Sequence, residues 1–159
     1  MPSPARLTQL LVIGLAIAGC HKGPSVPSGD IVATLTATSA DDRAFDPTSL
    51  RGKPTLVLFA SPTCPHCTKE LPIAQAAAHA EDANIVAIFV SGAKKHASSV
   101  TKSVGFSAPV LVDDGTLLKR YEIKAVPYVL VLGPDGHARN AFRGEQDEAT
   151  LRNALADAR

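Results

Sequence analysis

The sequence has almost no surplus of charge of either sign. Sixteen lysines and arginines stand against fifteen aspartates and glutamates in 159 residues, a formal net charge of +1, so the chain generates no field strong enough to recruit a polyanion. Aromatic residues are scarce at 4%, with no tryptophan. No basic stripe interleaves with them, which excludes a nucleic-acid reader. Cysteine occurs three times, at Cys20, Cys64 and Cys67. The pair at CxxC spacing supplies only half of a structural zinc set. The five histidines, His21, His66, His79, His96 and His137, show no His-x(3-5)-His spacing beside it that would supply the rest. Thr68 stands where c-type haem attachment needs a histidine, so that use is excluded too. What remains, with 45% hydrophobic and 19% charged residues, suits one globular domain of roughly 100 to 150 residues.

No apolar run is long enough for a comfortable membrane span, yet the first residues are not ordinary domain sequence. "MPSPAR" carries one arginine, "LTQLLVIGLAIA" is apolar, and Ala18 and Gly19 stand directly before Cys20. This pattern reads as an export signal over 1–19. The small residues before Cys20 resemble the lipobox of bacterial lipoproteins, in which the signal is cut before the cysteine and its thiol carries the lipid. Cys20 and the Pro-, Gly- and Ser-rich residues after it (20–30) would then form a lipidated tether, with the folded domain over 31–159. The implied location is the bacterial cell envelope, facing the periplasm or exterior. His21 at the position after the lipidated cysteine favours the outer membrane over the inner. Lipidation also settles the cysteine arithmetic in an oxidising compartment, because it leaves Cys64 and Cys67 as the only pair.

Hydrophobic patterning organises the rest. "IVATLTAT" is rich in β-branched residues and predicts a first strand from Ile31, and Thr48 to Leu50 predicts a short helical turn. "TLVLFA" (Thr55 to Ala60) is continuously apolar, as a strand covered on both faces must be. The helical stretch "CPHCTKELPIAQAAAHAED" follows, with Pro65 at a first-turn position where a missing N–H costs nothing and Pro72 inside it. "NIVAIFVSG" is a second buried strand, so strand, helix and strand make a right-handed parallel crossover. "AKKHASSVTKSVGF" predicts a helix, "APVLVDD" a strand and "GTLLKRYEI" a helical turn or two. "VPYVLVLGPDGHARNAFRG" predicts a hairpin and "DEATLRNALADAR" an amphipathic terminal helix. The fold class is α/β: a mixed sheet with helices on both faces.

A CxxC at the carboxyl end of the first central strand sits where an open α/β sheet carries its chemistry. If Cys64 caps the helix, its sulfur meets unsatisfied N–H groups and the positive end of the helix dipole, which favour thiolate. Cys67 lies one turn on, on the same face. Cys64 is then the nucleophile and Cys67 the resolving thiol of a redox-active Cys64–Cys67 pair. A disulfide that only staples the fold is a weak alternative, since so small a loop constrains little of the unfolded chain. The chemistry requires no cofactor and no metal.

"SLRGKPTLVLFASPTCPHCTKELP", "GFSAPVLVDDGTLLKRYEIKAVPYVLVLGPDG" and the terminal helix together resemble the thioredoxin-fold thiol–disulfide oxidoreductases, close to the membrane-anchored, extracytoplasmic TlpA/ResA-like group. The resemblance covers roughly 31–158. It implies a thioredoxin fold in which Ala93 to Asp114 is the TlpA-like helix-strand insertion. It also implies that Val126 and Pro127 form the cis-proline loop that faces the dithiol and pairs with a substrate strand. In ResA-like proteins a glutamate at the position of Glu70 tunes the thiols. A carboxylate near the dithiol opposes thiolate formation, whereas His66, when protonated, stabilises the Cys64 thiolate and the reduced form, making a better oxidant. Pro65 and His66 are the dipeptide of strongly oxidising periplasmic disulfide-forming enzymes. Thr63 stands where relatives carry tryptophan, and Leu58 where cytoplasmic thioredoxins carry a buried acid.

The resemblance implies a reductase acting through a mixed disulfide at Cys64 on exported protein thiols or disulfides, with a membrane or periplasmic electron donor or acceptor. A monomer attached to the membrane by the N-terminal lipid is expected. Apocytochrome thiols, as in cytochrome c maturation, copper-site dithiols and damaged envelope disulfides are compatible substrates. A disulfide-forming oxidase and a non-enzymatic copper chaperone, with His137 as nominal third ligand, are the alternatives. A peroxidase is excluded, because neither cysteine has the Pro-x-x-x-Thr/Ser-x-x-Cys arrangement: Val57 stands seven residues before Cys64, and Cys64 three before Cys67.

Overall fold

The computed structural model describes residues 23–90, 92 and 94–159. The expected signal over 1–19 and the lipidated Cys20 lie outside the described residues, as does Ala93 at the start of the insertion. In chain order the elements are α1 (Ile31–Thr34), β1 (Thr38–Ser39), a 3-10 turn (Pro47–Leu50), β2 (Thr55–Ala60), α2 (Pro65–Ala80) and β3 (Asn84–Phe89). They continue with α3 (Lys94–Ser103), β4 (Val110–Val112), α4 (Thr116–Arg120), β5 (Tyr128–Leu132), β6 (Ala138–Arg143) and α5 (Glu148–Asp157).

The six strands form one sheet in the order β1-β4-β3-β2-β5-β6. β2, β3 and β4 run parallel, while β5 lies antiparallel to β2, and β6 to β5. β2 is therefore paired on both edges, and all six of its residues are buried. Its side chains alternate between two cores. Leu56, Leu58 and Ala60 face α2 and α5, where Leu71, Ala74, Ala77, Leu151 and Leu155 cover them. Val57 and Phe59 face the other layer, with Ile31 of α1, Leu50 and Leu117 of α4. The continuous apolar run is the consequence of helices on both faces.

Two expectations are corrected near the start. "IVATLTAT" is not one strand: Asp30 accepts the N–H of Ala33 and caps the one-turn α1, and only Thr38 and Ser39 pair with β4. Burial overrides β propensity, because Ile31 and Val32 insert into the second core at 1% and 2% exposure. The residues expected as a free tether also touch the domain. The Tyr128 hydroxyl donates to the Ser25 carbonyl, and Asp30 bridges to His137 and pairs with Arg51. The helix and strand of the expected insertion are present as α3 and β4. β4 extends the sheet beside β3 and carries the short edge strand β1.

Candidate functional site

β2 delivers the chain to the turn 61–64, and Cys64 caps α2 with extended backbone (φ −97°, ψ 110°). Pro65 occupies the first helical position, where its fixed φ suits the helix and its missing N–H is not needed. The Cys64 sulfur accepts the N–H of Cys67 at 3.2 Å and lies 3.8 Å from the carbonyl of Val126, to which the thiol donates. The cap is completed by Thr68, whose N–H and hydroxyl both donate to the Cys64 carbonyl, at 3.2 and 3.3 Å. α2 thus begins at the sulfur, with an amide and the positive end of the peptide dipoles directed at it.

The two thiols, both free, differ in setting. Cys64 is partly exposed, whereas Cys67 is 1% exposed. Burial, and then its hydrogen bond with Cys64, pushes the Cys67 thiol up to about 12. Negative charge is thereby disfavoured at Cys67, and the accessible sulfur is Cys64.

The loop before β5 completes the wall opposite. The Val126-Pro127 peptide is cis, and Gly144 donates its N–H to the Pro127 carbonyl at 2.9 Å. Gly144 has φ +84°, a left-handed conformation that glycine adopts without penalty. The next residues reach α2. Glu145 Oε2 lies 2.8 Å from His66 Nδ1, and the N–H of Gln146 donates to Glu70 Oε2 at 2.8 Å. The segment 144–146 therefore ties the cis-proline loop to the first turns of α2.

Glu70 is fully buried, and its Oε1 has no hydrogen-bond partner among the described residues. Burial pushes its carboxyl up to about 7; the Gln146 amide lowers it, and the Glu145 and Asp147 charges add to the rise. The His66 ring is 66% exposed and is paired with Glu145. His137 is relocated. Thr55 of β2 is in register with Leu132, and Phe59 with Tyr128, so the turn holding His137 lies at the end of the sheet opposite Cys64. Its imidazole is 3.6 Å from Asp135, which removes the third ligand of a copper chaperone. Sequence reasoning missed Gly144, Glu145 and Gln146. Two of these act through backbone N–H groups, which carry no residue-type signal, and Glu145 reads as an ordinary loop acid.

A sheet of this topology, with a helix-capping CxxC facing a cis-proline loop, defines a thioredoxin-like protein with a dithiol site. The AhpC/TSA family model matches residues 28–141, and the chain belongs to that family. It is 29% identical over 141 residues to the soluble secreted antigen MPT53 of Mycobacterium tuberculosis, covering 84% of this chain and 82% of that one. It is 28% identical over 119 residues to the methylamine utilization protein MauD of Methylophilus methylotrophus, covering 67% of this chain and 56% of that protein. The chain thus spans about half the length of the MauD relatives. Among solved structures it resembles a secreted Mycobacterium tuberculosis disulfide oxidoreductase described as homologous to E. coli DsbE. The TM-score is 0.69 at 27% identity, covering 81% of this chain and 99% of that one. Among the described residues no helix is long and apolar enough to cross a membrane.

Proposed function

We propose that this protein is an extracytoplasmic reductase of disulfides in exported proteins, working by dithiol exchange through a mixed disulfide at Cys64. The observation that carries the reading is the Cys64 sulfur at the start of α2, 3.2 Å from the Cys67 amide nitrogen and beside Val126, with Cys67 buried behind it. The Cys64 thiolate attacks one sulfur of a substrate disulfide; the Cys64–substrate bond forms, and the other substrate sulfur leaves as a thiolate and is protonated. Cys67 then gives up its proton and attacks Cys64. The Cys64–Cys67 bond forms and the second substrate thiol departs. The substrate gains two electrons and two protons, and the protein dithiol is oxidised by two electrons. A dithiol electron donor in the envelope restores the reduced pair.

Glu70 is the group suited to hold or release the proton that Cys67 must lose, since its carboxyl changes charge near neutral pH. Val126 and Pro127 form the wall along which the substrate backbone lies. Location outside the cytoplasm is supported by the secreted relatives, and attachment through a lipid on Cys20 by the lipobox-like Ala18-Gly19-Cys20.

Trapping tests the mechanism. A Cys67→Ser variant accumulates a mixed disulfide through Cys64, while Cys64→Ser captures none. Failure of Cys67→Ser to trap any partner, together with inactivity on model disulfides, would overturn the reading. The reductive direction is checked by the potential of the couple: a value near about −270 mV supports it and one near about −120 mV reverses it.

A further inference from the structure

The sequence sets two influences against each other at this site, a histidine beside the nucleophile and an acid on the same helix. The geometry adds a third group. Glu145, on the loop between β6 and α5, holds the His66 imidazole at 2.8 Å, on the solvent side of α2. Lys69 on α2 also acts on the Glu145 carboxylate, and Glu145 and Asp147 both act on Glu70. Glu145 thus faces two basic side chains on the first turns of α2, the turns that begin at the Cys64 sulfur. The Glu145 carboxyl is held below its usual range, chiefly by the His66 hydrogen bond, with Lys69 adding to the effect.

We propose that Glu145 sets the reduction potential of the Cys64–Cys67 couple by neutralising the positive charge that His66 and Lys69 would otherwise present to the Cys64 thiolate. This rests on the dithiol reading above. Reduction breaks the Cys64–Cys67 bond and adds two electrons. Cys67 takes up a proton, and Cys64 is left as a thiolate or, once protonated, a thiol. Positive potential at Cys64 favours the thiolate and so the reduced state, which raises the potential. A carboxylate that cancels it keeps the couple reducing. The Pro65-His66 dipeptide therefore does not carry its oxidising influence in this chain, because its imidazole is already paired with Glu145.

Removing the Glu145 carboxylate leaves Lys69 unopposed on this side of α2, so the potential at the start of the helix becomes more positive. The loop itself is pinned by backbone donors, Gly144 N–H to Pro127 and Gln146 N–H to Glu70, so changing the Glu145 side chain leaves those bonds in place.

The test is the equilibrium of the wild-type, Glu145→Gln and Glu145→Lys proteins with glutathione at one fixed pH, in low and high salt. In low salt the equilibrium moves toward the reduced form about two- to fivefold in Glu145→Gln, equal to about 9 to 21 mV at 29.6 mV per tenfold, and further in Glu145→Lys. Both shifts shrink in high salt, because exposed charges are screened. Equal potentials in all three proteins, a shift toward the oxidised form, or a shift undiminished by salt overturns the assignment while leaving dithiol exchange intact. A wild-type protein with no measurable couple overturns both.

Discussion

At the residue scale Glu70 is the most consequential side chain outside the dithiol. It is buried with one oxygen satisfied by the Gln146 amide and the other left without a partner among the described residues, an arrangement that costs free energy when the carboxyl is charged. The raised value, about 7, means that the folded protein binds a proton that the unfolded chain has released. Stability therefore falls as pH rises from the ordinary glutamate range to about 7, and the loss is complete above it. At 1.36 kcal/mol per unit the full effect is about 3 kcal/mol. Glu70→Gln keeps an oxygen for the Gln146 N–H but cannot ionise. Its advantage over wild type in urea unfolding is expected to grow by that order between pH 4.5 and pH 8. A difference independent of pH would show that the carboxyl titrates in its ordinary range. The position of Glu70 on the dithiol helix is legible in the sequence from its spacing to Cys67. Its orphaned oxygen is not, because burial there is created by α5 and the loop before it, far along the chain. His66 shows the converse: its identity is legible beside the nucleophile, and its pairing with a loop acid 79 residues away is not.

At the element scale the helices and strands with strong periodicity or continuous apolar runs follow their sequence pattern, and the short ones depend on caps. β2, α2, β3 and α5 are read from their own residues. α1 is not, since three β-branched residues in a four-residue segment favour a strand until the Asp30 cap and the buried positions of Ile31 and Val32 are known. α4 gives a sharper case. It has five residues and begins after Gly115, which offers no side-chain cap. Instead Asp113, 5% exposed, accepts the N–H groups of Leu117 and Leu118 at 3.0 and 3.1 Å. Those amides would otherwise be without partners in the first turn of the helix. Asp113→Ala is expected to destabilise the fold by about 1 to 3 kcal/mol, the cost of leaving buried polar groups unsatisfied. Asp113→Asn, which keeps one acceptor oxygen, loses less. Chemical denaturation of both variants checks the order, and an Ala variant as stable as Asn would rule out the cap.

At the scale of the whole molecule the sheet separates two ends. Cys64, Val126 and Gly144 gather where β2 ends and β5 begins. Asp30, Arg51 and Gly136 gather at the opposite end, where Asp30 pairs with Arg51 and the Ile31 amide donates to the Gly136 carbonyl. The mixed sheet with helices on both faces was legible in the order of strands and helices. The docking of residues before the first strand was not, because it draws on contacts to a hairpin more than 100 residues later. Ile31 tests the separation. It is 1% exposed in the second core, and Ile31→Ala is expected to cost about 2 to 5 kcal/mol of folding stability. The potential of a couple depends only on the difference between the stabilities of the oxidised and reduced forms. A cavity at the far end lowers both equally. The variant should therefore unfold at lower urea in both redox states by the same amount, with its potential unchanged from wild type. A potential that moved with the loss of stability would mean that the two ends of the sheet are coupled, and that packing of the N-terminal segment is read at the dithiol.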